Sequence, residues 1–195
     1  GIVNAFEGIS QSGSGGLSAI GIEEISLEPT TADANLLLNA PPFETEWRPV
    51  FDVTLAYNPR SVLVPVARIE GLTWTVLTPG SIPGGNFLAG QGAAVTLDGR
   101  FDAVLEPSRA LFINLGGEMN LLSQGSRAAQ WMLLEQAIRE ARTRGPLDDK
   151  ALLHPLGREA LARYLRGGRV VFHVSRASEI RRAVAFARRH GMKPV

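Results

Sequence analysis

Apolar and polar positions recur in two rhythms along this chain, and the second half carries them most clearly. From Ser126 onward Trp131, Leu134, Ile138 and Ala141 return at three- and four-residue steps, a helix face that Ser126 can cap and Gly145-Pro146 ends. A shorter helical pattern over 158–166 leads through Gly167-Gly168 into the apolar run Val170-Val171-Phe172, which stops at His173. A further helix follows at once, with Ile180, Ala183, Val184 and Ala187 expected on its core side and Arg181, Arg182, Arg188 and Arg189 on its solvent side. The strand, helix, strand rhythm then predicts that residues 193–195 lie beside the His173 strand.

Upstream, Asn58-Pro59 predicts a helix start running to about Glu70 and stopping at Gly71, with Pro65 able to kink it or delay it. Trp74 to Thr78 reads as a strand by its β-branched and aromatic content, closed by Pro79-Gly80. Ala93–Leu97 and Phe101–Leu105 flank Asp98-Gly99, which predicts a hairpin with a tight turn, and Gly90-Gln91-Gly92 reads as the turn before it. Ala110 to Asn114 is an uninterrupted apolar strand running into Gly116-Gly117. Alternation of strands with helices over 50–195 predicts an α/β class with parallel strands.

Composition narrows this picture only in part. With 195 residues, 45% hydrophobic and 20% charged, the chain has the profile of one globular domain, and there is no internal repeat. The absence of cysteine excludes disulfides, thiolate metal sites and cysteine nucleophiles, and it leaves cytoplasm and periplasm equally open. No apolar run approaches the ~20 residues a membrane span needs. Residues 10–50 hold a Gly/Ser-rich stretch and the breakers Pro29, Pro41, Pro42 and Pro49, and are expected to form an irregular excursion. The glycines of 10–18 lack both the Walker ending and the third glycine of a dinucleotide loop.

Charge is lopsided: residues 1–123 carry 5 Arg against 13 acids, and 124–195 carry 13 Arg and 2 Lys against 6 acids, so that the halves stand at −8 and +9. The arginines fall where a solvated helix face would put them, and no aromatic platform interleaves them, so nucleic acid is not the expected partner.

Three histidines carry the candidate chemistry. His173 closes a strand, the place where α/β enzymes present functional side chains. His154 sits between Leu153 and Pro155, and His190 at a helix C-terminus beside Gly191; both read as structural or surface residues. Gln91 within Gly90-Gln91-Gly92 could offer an amide and backbone N–H groups to a substrate oxygen. Arg176, at a helix start just past His173, could pair with a substrate carboxylate. A Ser–His–Asp arrangement lacks the Gly-x-Ser-x-Gly elbow.

The His173 segment, Asn58-Pro59-Arg60-Ser61-Val62-Leu63-Val64-Pro65-Val66-Ala67-Arg68, the stretch Gly90 to Gly99 and the opening Gly1-Ile2-Val3-Asn4-Ala5 occur together in the order found in the imidazolonepropionase-like branch of the amidohydrolase superfamily, which this chain resembles in patches over most of its length. The resemblance implies a partial (β/α)8 TIM-like barrel of the metal-dependent hydrolase type, spanning 1–195 as a single partial domain, with the hairpin as an insertion rather than a barrel strand. It implies a C–N bond hydrolase with a divalent metal such as zinc in relatives, a small-molecule amide as substrate, His173 as the surviving metal ligand, and an arginine matching Arg176. In the family the first strand ends in His-x-His; here Phe6 and Gly8 stand at those positions, and neither can ligate a metal. Glu7 lies between them, but strand alternation turns it away from the centre. The segment by itself is therefore expected to hold no cofactor. The alternative is a non-catalytic barrel homologue that binds a small molecule or a protein partner. Unpaired strand edges of a partial barrel predict a homo-oligomer.

Overall fold

The computed structural model describes residues 47, 49–79, 87–115, 126–148 and 150–195. They belong to two compact units, the first holding 53–78 and 92–109 and the second the remainder. Among the described residues five strands are hydrogen-bonded in chain order and four α-helices accompany them, so the class is mixed α/β.

In the first unit, helix α1 (Leu63–Ile69) starts later than Asn58-Pro59 suggests. Asn58 instead accepts from the Arg60 N–H at 3.0 Å and Ser61 Oγ from the Leu63 N–H at 3.3 Å, two turns that use up the expected helix start. Pro65 is the reason. Seven residues into a helix begun at Pro59 it would break the ladder and clash with the preceding turn, whereas as the third residue of α1 its missing N–H falls among the donors a first turn leaves unpaired.

Strand β1 (Trp74–Leu77) runs antiparallel to the end of β2 (Leu88–Thr96), with Trp74 opposite Thr96 and Leu77 opposite Ala93. The predicted hairpin is present: Thr96 N–H donates to Ala103 O and Leu105 N–H to Ala94 O, at 2.9 and 2.8 Å. Its connection is longer than a tight turn because Leu97 is still buried and donates to Thr73 O at 2.9 Å, so the chain reverses only after it. Val53, Leu77, Val95 and Ala103 form one small core and Val64, Ala67 and Leu97 another, with the Tyr57 ring packed against both.

The second unit contains the opening residues of β2, then β3 (Ala110–Asn114), β4 (Arg169–His173) and β5 (Lys193–Pro194). β3 and β4 are parallel and in register from Ala110 opposite Arg169 to Asn114 opposite His173. β5 pairs in parallel with the start of β4, and Val195 N–H donates to Val170 O at 3.0 Å, as the strand, helix, strand rhythm predicts. Helices α2 (Arg127–Arg142), α3 (Pro155–Tyr164) and α4 (Ala177–Arg189) pack a core of Leu111, Ile113, Leu134, Ile138, Leu161, Val170 and Phe186 against this sheet.

Three expectations are corrected here. The Gly90-Gln91-Gly92 segment is strand, not turn, since β2 already begins at Leu88. Gly90 holds φ at +123°, and a Cβ there would stand 2.6 Å from Phe51 O, which is why a turn-forming residue sits in a strand. Helix α3 starts at Pro155, three residues early, because His154 caps it and proline suits its first position; Gly157 within it passes the Trp47 carbonyl and Pro49, where a Cβ would stand 2.8 Å from the carbonyl oxygen and 2.7 Å from the ring. On α4, Ile180 is 51% exposed while Glu179 is buried, so the inner face is centred on Glu179, Ala183 and Phe186.

Candidate functional site

Alternation along β3 and β4 sorts their side chains onto two faces. Leu111, Ile113, Val170 and Phe172 belong to the core under the helices, where Phe172 stacks on Trp131 at 6.3 Å and meets Phe186 edge-on at 6.3 Å. Phe112, Asn114, Val171 and His173 therefore occupy the opposite face, and Asn114 and His173 are side by side in register at its C-terminal end. Asn114 is 9% exposed whereas His173 is open to solvent. Backbone bonds fix both: Asn114 N–H donates to Phe87 O at 2.7 Å and Leu115 N–H to His173 O at 3.0 Å.

Three residues beyond His173, Arg176 caps α4 in an extended conformation, its carbonyl accepting from the Glu179 and Ile180 N–H groups at 2.9 and 3.0 Å while its side chain remains exposed. An exposed imidazole and a buried amide are thus neighbours at one pair of strand ends, and an exposed guanidinium follows three residues along the chain. Behind them lies an ion pair that the sequence did not announce. Arg127, the first residue of α2, meets Glu179, in the first turn of α4 and only 7% exposed.

Gln91 is in a different layer. Its amide oxygen accepts from the Tyr164 hydroxyl of α3 at 2.9 Å, its NH₂ donates to Val50 O at 3.2 Å, and its backbone N–H donates to Phe51 O at 2.7 Å. Tyr164 belongs to the core on the helix side of the sheet, so the structure does not bring the Gln91 amide to His173. His154 caps α3, with Nδ1 accepting from the Leu156 N–H at 3.2 Å. His190, buried at the end of α4, sits 3.1 Å from Glu135 and lies against the Phe186 ring at 4.5 Å. Both therefore have structural surroundings. Phe6, Glu7, Gly8, the 10–46 excursion and Gly116-Gly117 lie outside the described residues.

Among the described residues no three His, Asp or Glu side chains converge on a point that could hold a metal ion. Among the described residues the neighbour of His173 in register is an asparagine, which is not one of the usual nitrogen, thiolate or carboxylate ligands of zinc. A groove of about 410 Å³ beside Trp131 and Phe186 is on the helix side, covered by Arg182 over the Trp131 ring and Arg189 over the Phe186 ring, and is no part of this cluster. The signal that could have found Asn114 is simple, since it ends one buried strand as His173 ends the next. The Arg127–Glu179 pair had no such signal, because the partners are far apart in sequence.

No family model and no curated protein matches the chain. Its fold is similar to that of the amidohydrolase from Thermotoga maritima MSB8, with a TM-score of 0.55 and 17% identity over 75% of this chain. The match spans 42% of that protein's chain, less than half its length. At this identity the likeness concerns the fold, a mixed α/β arrangement, and it says nothing about which side chains act.

Proposed function

We propose that this chain is part of an amidohydrolase-like, TIM-barrel-type protein and that the C-terminal ends of β3 and β4 bind a small amide-bearing, carboxylated molecule. The observation that carries the reading is the placement of His173 and Asn114 in register at the ends of parallel strands, with Arg176 three residues on. Strand ends are where barrels and open sheets collect ligands. Arg176 would take the carboxylate by charge-assisted hydrogen bonds. The exposed His173 ring would supply a donor and an acceptor to the amide, beside the buried Asn114. Gln91 contributes as a strut that fixes β2 rather than as a ligand contact.

Binding is favoured over metal-assisted hydrolysis by the donor chemistry. Phe6 and Gly8 cannot ligate, and no group of three His, Asp or Glu side chains that could hold a metal is present among the described residues. The second reading, a C–N hydrolase acting on small amides with zinc held partly by groups beyond this segment, rests on the sequence resemblance and on the kind of protein whose fold it shares. Calorimetric titration with N-acyl amino acids, with and without equimolar zinc, tests both. Binding that is independent of zinc and lost in Arg176→Ala supports the first. Zinc uptake that His173→Ala abolishes, with hydrolysis of the same compounds, replaces it with the second.

A further inference from the structure

We infer that Arg127 and Glu179 act as a positioning pair that sets the place of His173, an inference that rests on His173 being the ligand-facing residue. The two helices they join are the ones that follow the two site strands, α2 after β3 and α4 after β4. Glu179 is the third residue of α4, and only Val174, Ser175 and Arg176 separate that helix from His173. Wherever the first turn of α4 is held, these three residues carry the displacement to the end of β4.

The pair is not built as ordinary helix decoration. Glu179 is 7% exposed and faces the same side of α4 as Ala183 and Phe186, where an apolar residue would otherwise pack. Its Oε1 is in ionic contact with the Arg127 Nε, while its Oε2 is buried without a hydrogen bond among the described residues. With Arg127 half-buried and one oxygen of the buried Glu179 carboxylate unpaired, the pair adds little net stability compared with an apolar pair of the same volume, and a role in fixing geometry accounts for it better. The aromatic contacts of Phe172 with Trp131 and Phe186 hold the preceding residue of β4 from the same helices. The ion pair supplies the directional contact at the strand-end side of that layer, where the rings supply none.

The test reads His173 directly in the intact chain. Histidine ring Hε1 resonances are recorded for the wild type, for Glu179→Gln and for the double variant Arg127→Met/Glu179→Leu, with His173→Asn giving the assignment and His154 on α3 serving as the internal control. The His173 resonance is expected to move by more than a line width in both variants while that of His154 stays in place. The double variant should retain or exceed the wild-type melting temperature, so it reports geometry even where Glu179→Gln folds poorly. A double variant with native melting and an unmoved His173 resonance overturns the inference and leaves the pair as packing. Because the readout needs no ligand, failure of the N-acyl amino acids to bind would count against the proposed function and not against this pair.

Discussion

Replacing Tyr164 with phenylalanine removes one oxygen and should cost far more than that suggests. The Tyr164 hydroxyl donates to Gln91 Oε1 at 2.9 Å, with Tyr164 7% and Gln91 6% exposed, so water cannot take the donor's place. A net hydrogen bond of ~1 kcal/mol is lost and a buried carbonyl oxygen is left unpaired at ~1–3 kcal/mol, so the variant should be destabilised by about 2 kcal/mol. For a chain of this size that corresponds to a fall in melting temperature of roughly 4–8 °C. Gln91→Leu should cost a similar amount, since it strands both the Tyr164 hydroxyl and Val50 O, to which the amide donates at 3.2 Å. The double variant Tyr164→Phe/Gln91→Leu should be less destabilised than the two singles added together, by about 1–2 kcal/mol, because the first loss makes part of the second irrelevant. Urea unfolding of all four proteins supplies the cycle. Strict additivity, or a Tyr164→Phe cost below ~0.5 kcal/mol, would refute the strut and return the Gln91 amide to the ligand.

Gly90→Ala should lower stability by at least ~2 kcal/mol in the same assay, since alanine resists φ of +123° and its Cβ meets the Phe51 carbonyl. Burial, and secondarily the charge of Asp98, push the Tyr57 hydroxyl up to about 12 from its ordinary 10. The folded state therefore holds that proton more tightly than the unfolded one, so the stabilisation is complete below pH 10 and is lost as pH rises through about 12. Melting temperature against pH should fall less steeply in Tyr57→Phe over that window, and parallel curves would remove Tyr57 as the cause. Val62, just before α1, and Val66 and Ile69 on it are 80%, 53% and 82% exposed in one stripe, and Val66→Glu should reduce self-association measured by light scattering. An unchanged mass distribution would show that this stripe does not mediate association.

The local rules decided where most elements lie. Ala110–Asn114 coincides with β3, Ser126 caps α2 by accepting from Ala129 N–H at 3.3 Å, and the strand of Val170 to His173 is β4, because continuous apolar runs and a serine before a periodic face leave few competing conformations. His173 was readable as a strand-end residue for the same reason. What the chain could not show locally was which residues meet. Gln91 has the composition of a turn around it, yet it lies in β2 because Gly90 lets the strand pass under Phe51 and because Tyr164, 73 residues later, satisfies its amide. Glu179 carries a charge that periodicity assigns to solvent, and it is buried because Arg127 from another helix meets it there. Periodicity and capping act over a turn or two of chain, so they fix elements; hydrogen-bond and charge partners dozens of residues away are chosen only when those elements pack, and that choice ties Gln91 to Tyr164 rather than to the strand-end residues Asn114 and His173.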